Sequence, residues 1–179
     1  VTVGLQKVFE IKNDNFLFSW EWTQMEQTAS RLLRNAGSWY EHGWTYDGYT
    51  NEGEVLGASI GPGSNSHYFA LSRIRNKEKL GIALEIIDQD NDFNHEAFIK
   101  KTSSSMTGDY RRYWKDFNLH LNFSKKYKNL WLSSNLMYSR SLNYQWDLED
   151  YATEYYHPGN DVNNFHMTLK LAYLIPLTN

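Results

Sequence analysis

The sequence predicts an all-β chain, and three observations carry it on to an antiparallel up-and-down transmembrane β-barrel of 7–8 strands. The first is alternation. Phe117-Asn118-Leu119-His120-Leu121-Asn122-Phe123-Ser124 sets Phe, Leu, Leu and Phe against Asn, His, Asn and Ser, the two faces of a strand whose side chains have a period of two. The second is the rhythm of the connections. Short ones at Asn13–Asn15, Asn76–Lys79 and Lys125–Asn129 alternate strictly with long ones at 24–66, 90–114 and 144–163. Short turns at one end and long loops at the other mark outer-membrane barrels, whereas a Greek-key sandwich mixes lengths at both ends. The third is an aromatic content of 16%, including seven Trp and thirteen Tyr. Trp20, Trp22, Trp114, Trp131, Tyr138, Trp146 and Tyr173 gather near strand ends, where interfacial girdles sit.

The elements follow in order. Val1–Ile11 forms a first strand with Val1, Val3, Leu5, Phe9 and Ile11 on one face, and Asn13-Asp14-Asn15 turns it, because Asn and Asp tolerate left-handed geometry. Phe16–Thr23 sets Phe16, Phe18, Trp20 and Trp22 against Ser19, Glu21 and Thr23. The connection from Gln24 to Asn51 holds a short helix over Thr28–Asn35, stopped by Gly37, and then a dense run of aromatics. Gly53–Ser66 begins like a strand and dissolves into Gly, Pro, Ser and Asn. His67–Arg75 and Leu80–Gln89 pair, the second placing Leu80, Ile82, Leu84 and Ile86 opposite Gly81, Ala83 and Glu85. After the strand around Leu119 come Leu130–Asn143 and Phe165–Ile175, the latter with Phe165, Met167, Leu169, Leu171, Tyr173 and Ile175 on one face. Glu21, Glu85, His120 and Lys170 stand out on the polar faces and are expected to form interior ion pairs or wet networks.

Residues 1–179 form one β-barrel domain or the C-terminal segment of a larger barrel. A net charge of −3 gives no footprint for nucleic acid. The absence of Cys removes disulfides, Cys-based zinc sites and thiolate nucleophiles. The apolar runs are too short for a transmembrane helix, but barrel strands need only about 9–11 residues each. With the long loops outside the cell, seven strands place Val1 on the extracellular side, so parity favours a C-terminal piece of an even-stranded barrel. Making Glu54–Ile60 an eighth strand removes the mismatch only by moving the aromatic connection to the periplasmic side.

Chemistry concentrates in the long loops. Trp39, Tyr40, His42, Trp44, Tyr46, Arg111, Arg112, Tyr113 and Trp114 combine aromatic faces for stacking on sugar rings with cations for uronic acids. They make an acidic surface polysaccharide the expected partner, or else they pack the loops against each other. Ser64-Asn65-Ser66-His67 contains nucleophile and base types, yet Ser66 and His67 point to opposite faces if extended. Asp88, Asp90, Asn91 and Asp92 echo a calcium loop without its turn Gly or its terminal Glu, and read better as a solvated loop. No catalytic residues, metal ligands or cofactor are assigned.

The run Trp39-Tyr40-Glu41-His42-Gly43, with Tyr46, Gly48 and Gly53-Glu54-Val55-Leu56-Gly57-Ala58-Ser59-Ile60-Gly61-Pro62-Gly63-Ser64-Asn65-Ser66, resembles the Wzi capsule-assembly family. That resemblance implies the C-terminal portion of an about 18-stranded outer-membrane barrel. It also implies a non-enzymatic, lectin-like role in holding capsular polysaccharide, with outer-membrane lipid and other envelope proteins as further partners. Two other readings stand beside it: a small eight-stranded acyl hydrolase or transferase, and a soluble β-sandwich carbohydrate-binding module.

Overall fold

A computed structural model of the chain describes residues 1–28, 37, 39–40, 44, 48–52, 54–96, 113–146 and 161–174. Its main feature is one antiparallel sheet of seven strands: β1 (Thr2–Ile11), β2 (Asp14–Gln24), β5 (Asn65–Arg75), β6 (Glu78–Gln89), β7 (Trp114–Tyr127), β8 (Leu130–Leu142) and β9 (Val162–Tyr173). They lie side by side in chain order. Two-residue strands β3 (Thr50–Asn51) and β4 (Glu54–Val55) pair only with each other, so the Glu54–Ile60 stretch adds no strand to the main sheet. Among the described residues helix is confined to α1 (Asn91–Asn94), a π turn at His95-Glu96 that continues it, and a 3₁₀ turn at Tyr144–Trp146. The expected helix over Thr28–Asn35 falls, after Thr28, outside them. No described helix is long and apolar enough to cross a membrane.

The uneven connections are present and more extreme than expected. Two residues join each hairpin at one end: Lys12-Asn13, Asn76-Lys77 and Lys128-Asn129. Positive φ at Lys12 (58°), Asn76 (49°), Lys77 (111°) and Lys128 (50°) supplies the tight reversal. The ladder therefore extends beyond the sequence-based boundaries. Asp14 and Asn15 belong to β2, and Lys125, Lys126 and Tyr127 continue β7, because charged side chains outside an apolar band do not interrupt backbone pairing. At the other end lie the three long connections.

Six successive antiparallel pairings leave β1 and β9 running in the same direction as the two edges. The sheet is curved, and both edges line one trough of about 1060 Å³, with Gly4 and Gln6 on one side and Thr168 and Lys170 on the other.

Register confirms the two-faced strands and shows which face turns inward. Across β6 and β7 the convex face carries the pairs Leu80–Phe123, Ile82–Leu121, Leu84–Leu119 and Ile86–Phe117. The concave face carries Gly81–Asn122, Ala83–His120 and Glu85–Asn118. Small residues allow the tight inner curve: a Cβ at Gly81 would meet Ser72 Oγ at 2.6 Å. Burial follows the concave side. Among the described residues only Met25 and Ala83 are buried apolar residues, while Ser66, Ser72, Asp116, Asn118 and Ser141 are buried polar ones. Leu80, Ile82, Leu121, Met167 and Leu171 stand exposed. Water-soluble sheets bury their apolar face; this one buries its polar face.

Candidate functional site

Three parts of the sheet carry chemistry: its convex face, its concave face and its loop end. The convex face of β6 and β7 is framed by charge. Four apolar pairs lie between two in-register ion pairs, Glu78–Lys125 (3.0 Å) and Asp88–Lys115 (2.8 Å). Glu78 and Asp88 are separated by about 34 Å along an antiparallel strand. The aromatics of this face extend the band: Phe9 stacks on Phe16 at 5.6 Å, and His67 lies between Trp22 and Phe69 at 6.4 Å from each. Trp131 and Trp114, expected in the girdle, sit in the concave-face register instead, Trp131 opposite Lys126 and Ala172.

The concave face holds polar ladders. Asn135 Nδ2 donates to Asn122 Oδ1 (2.7 Å), and Asn118 Nδ2 donates to Glu85 Oε2 (3.0 Å). His120 Nε2 is 3.9 Å from the same oxygen, beyond hydrogen-bond reach. Glu85 thus bonds Asn118, with His120 close by but not hydrogen-bonded to it, and Glu21 accepts from Thr23 (3.4 Å). Lys170 takes no part. It shares a row with Ser133, Ser124 and Lys79 near the short turns, three rows from Glu21 and Glu85.

The loop end is tied by a buried polar knot. Gly61 (φ 79°) and Gly63 (φ 62°) bend the chain into β5. Ser64 Oγ donates to Pro62 O (3.1 Å) and accepts from Asp90 N (3.0 Å), while Asn91 N donates to Gly63 O (2.8 Å). Glu26 Oε2 accepts from Asn65 Nδ2 and from Asn91 Nδ2 (2.9 Å). Both carboxylate oxygens of Asp92 accept from Gln27 N, at 3.1 and 3.2 Å. The knot therefore joins the segment after β2, the segment before β5 and α1.

This corrects the solvated-loop reading of the acidic run. Asp88 faces Lys115, Asp90 caps α1 by accepting from Phe93 N (3.0 Å), and Asp92 is 2% exposed. The three carboxylates serve three separate partners, and among the described residues no group of three His, Asp or Glu is placed to hold a metal. Ser64 is buried, Ser66 points to the concave side, and His67 stacks on the convex side, so these groups do not converge.

Of the candidate sugar contacts, Trp39 and Trp44 are exposed, Trp44 at 96%. Tyr40 turns back, its hydroxyl accepting from Ala58 N (2.9 Å) against Gly57. Tyr113 is half-buried beside the start of β7. His42, Tyr46, Arg111 and Arg112 lie outside the described residues. Trp114 is held by Asp116 Oδ1, which accepts from its Nε1 (2.7 Å), while Gln89 Nε2 donates to the other carboxylate oxygen (2.8 Å). Trp114 packs edge-on at 5.1 Å against both Tyr144 and Trp146, and Phe93 lies 4.8 Å from Trp146. The sequence pointed to Trp114 but missed this four-ring cluster, because Phe93 and Trp114 stand at the two ends of the β6–β7 connection and Tyr144 and Trp146 follow β8, and only sheet order brings them together.

The fold and site define an all-β protein built on one inverted, seven-stranded antiparallel sheet. No protein-family model, curated protein or solved structure matches the chain.

Proposed function

We propose that the chain is a stretch of an outer-membrane β-barrel that binds an acidic surface polysaccharide through its long loops. The supporting observation is the inverted sheet: a bare apolar convex face around a polar concavity, closed off by ion pairs about 34 Å apart along the strand, or roughly 26 Å along a membrane normal at a barrel strand's tilt of about 40°, against an apolar band of about 25 Å. Lipid is the covering that suits such a face over that height. Because β1 and β9 run the same way, an antiparallel ladder closes the barrel only with an odd number of further strands between them. A larger, even-stranded barrel satisfies this, in line with the capsule-assembly resemblance.

The polysaccharide reading rests on the loop end. Exposed Trp39, Trp44 and Tyr49 and the Phe93–Trp114–Tyr144–Trp146 cluster offer aromatic faces to sugar rings. Arg111 and Arg112 in the second long connection add cations for carboxylates. Binding, rather than turnover, is the role such a surface suits.

Two measurements test the reading. In vesicles of lipid brominated at mid-chain, a Trp placed by Ile82→Trp is quenched and one placed by Thr168→Trp is not; equal quenching removes the membrane assignment. Affinity electrophoresis in gels containing acidic polysaccharide shows retardation of the wild type and its loss in an Arg111→Ala, Arg112→Ala double variant. No retardation of the wild type removes the binding assignment.

A further inference from the structure

Just past the last apolar row on the convex face, the strand ends form a hollow of about 600 Å³. Arg73 and Arg75 of β5 line it with Lys77 of the following turn and Lys125 and Lys126 of β7. Leu80, the first apolar residue of the band on β6, borders the same hollow. Glu78 lines it and pairs with Lys125 at 3.0 Å. Asp14 binds Arg73 at 2.7 Å and approaches Arg75 at 3.4 Å. Five cationic side chains thus meet two carboxylates, an excess of three positive charges. Lys77 and Lys126 take part in no ion pair among the described residues, and the cradle is tied from below, Lys126 N donating to Lys77 O at 3.0 Å.

We infer that this hollow binds the phosphate of an anionic phospholipid headgroup in the leaflet at the short-turn end. The inference rests on the membrane reading above and assigns a lipid site within it. Charge alone would suit any phosphate. Position selects the lipid, because the hollow opens on the apolar convex face, where a chain leaving the headgroup runs over Leu80 and Ile82. A basic cluster at the edge of an apolar band attracts anionic headgroups at about 1 kcal/mol per Lys or Arg.

The test uses the full chain in neutral detergent micelles, with native mass spectrometry of bound dihexanoyl phosphatidylglycerol, dihexanoyl phosphatidylcholine or inorganic phosphate. Phosphatidylglycerol binds the wild type best. A Lys77→Gln, Lys126→Gln double variant binds it about thirtyfold more weakly, a Lys77→Arg, Lys126→Arg variant retains it, and Lys128→Gln leaves it unchanged. Equal binding by the Gln double variant, or displacement by inorganic phosphate at the same concentration as the lipid, overturns the site. Quenching at position 82 by brominated lipid separates the two levels. If an Ile82→Trp chain is quenched while phosphatidylglycerol selectivity is missing, only the headgroup site fails; if that chain is not quenched, the membrane reading fails as well.

Discussion

A lysine scan along the convex face of β6 tests the inverted sheet most directly. Leu80, Ile82, Leu84 and Ile86 point outward between the Glu78–Lys125 and Asp88–Lys115 pairs. With about 3.4 Å per residue and a tilt of about 40°, the span is centred at position 83. In the proposed membrane barrel, Ile82 and Leu84 then lie about 3 Å from the midplane, and Leu80 and Ile86 about 8 Å from it. An outward Lys costs about 2–4 kcal/mol at the midplane and falls toward about 0–1 kcal/mol at the interface. Ile82→Lys and Leu84→Lys therefore each destabilise the membrane-folded chain by about 3 kcal/mol, and Leu80→Lys and Ile86→Lys by roughly half of that. Thr168→Lys, whose side chain faces the trough, costs under about 0.5 kcal/mol. Guanidinium titrations in phosphatidylcholine vesicles, followed by tryptophan emission, measure all five. A flat profile over positions 80–86 would refute the reasoning, because a face covered by protein has no midplane.

The loop end supplies the other expectations. Glu26→Ala removes the carboxylate acceptor shared by Asn65 and Asn91, a loss of about 2 kcal/mol; it appears as faster proteolysis at the loop end, with the circular dichroism of the sheet preserved. Gly63→Ala puts a Cβ against Asp90 Oδ1 at a positive φ and destabilises by about 1–3 kcal/mol in the same vesicle titration. Trp114→Ala opens the four-ring cluster and weakens polysaccharide retardation by about 1–3 kcal/mol of binding, with the sheet's unfolding midpoint in vesicles as the control for simple misfolding.

Much of the sheet was legible because strand chemistry is local. The outward set Leu80, Ile82, Leu84 and Ile86 and its inward partners were readable from β6 alone. The turn boundaries shifted by up to three residues, because Lys12, Lys77 and Lys128 adopt the positive φ that the sequence reading gave chiefly to Asn and Asp. Leu130-Trp131-Leu132 has no alternation, so the side taken by Trp131 depends on its pairing with Lys126 and Ala172. The polar knot was hidden for another reason. Glu26 meets Asn65 and Asn91 across 39 and 65 residues, and no local pattern joins them.

The sequence by itself determined that each strand has an apolar and a polar side, and that hairpins turn tightly at one end only. A period of two and the turn-forming residues decide both within a few positions of the chain. Only the tertiary structure decided which side is concave, because curvature arises from cross-strand register and from how closely Ser72, Gly81 and Ala83 let neighbouring strands approach. That register put Asn118, His120 and Asn122 on the concave face and left the leucines and isoleucines outward, between two ion pairs ten residues apart on β6.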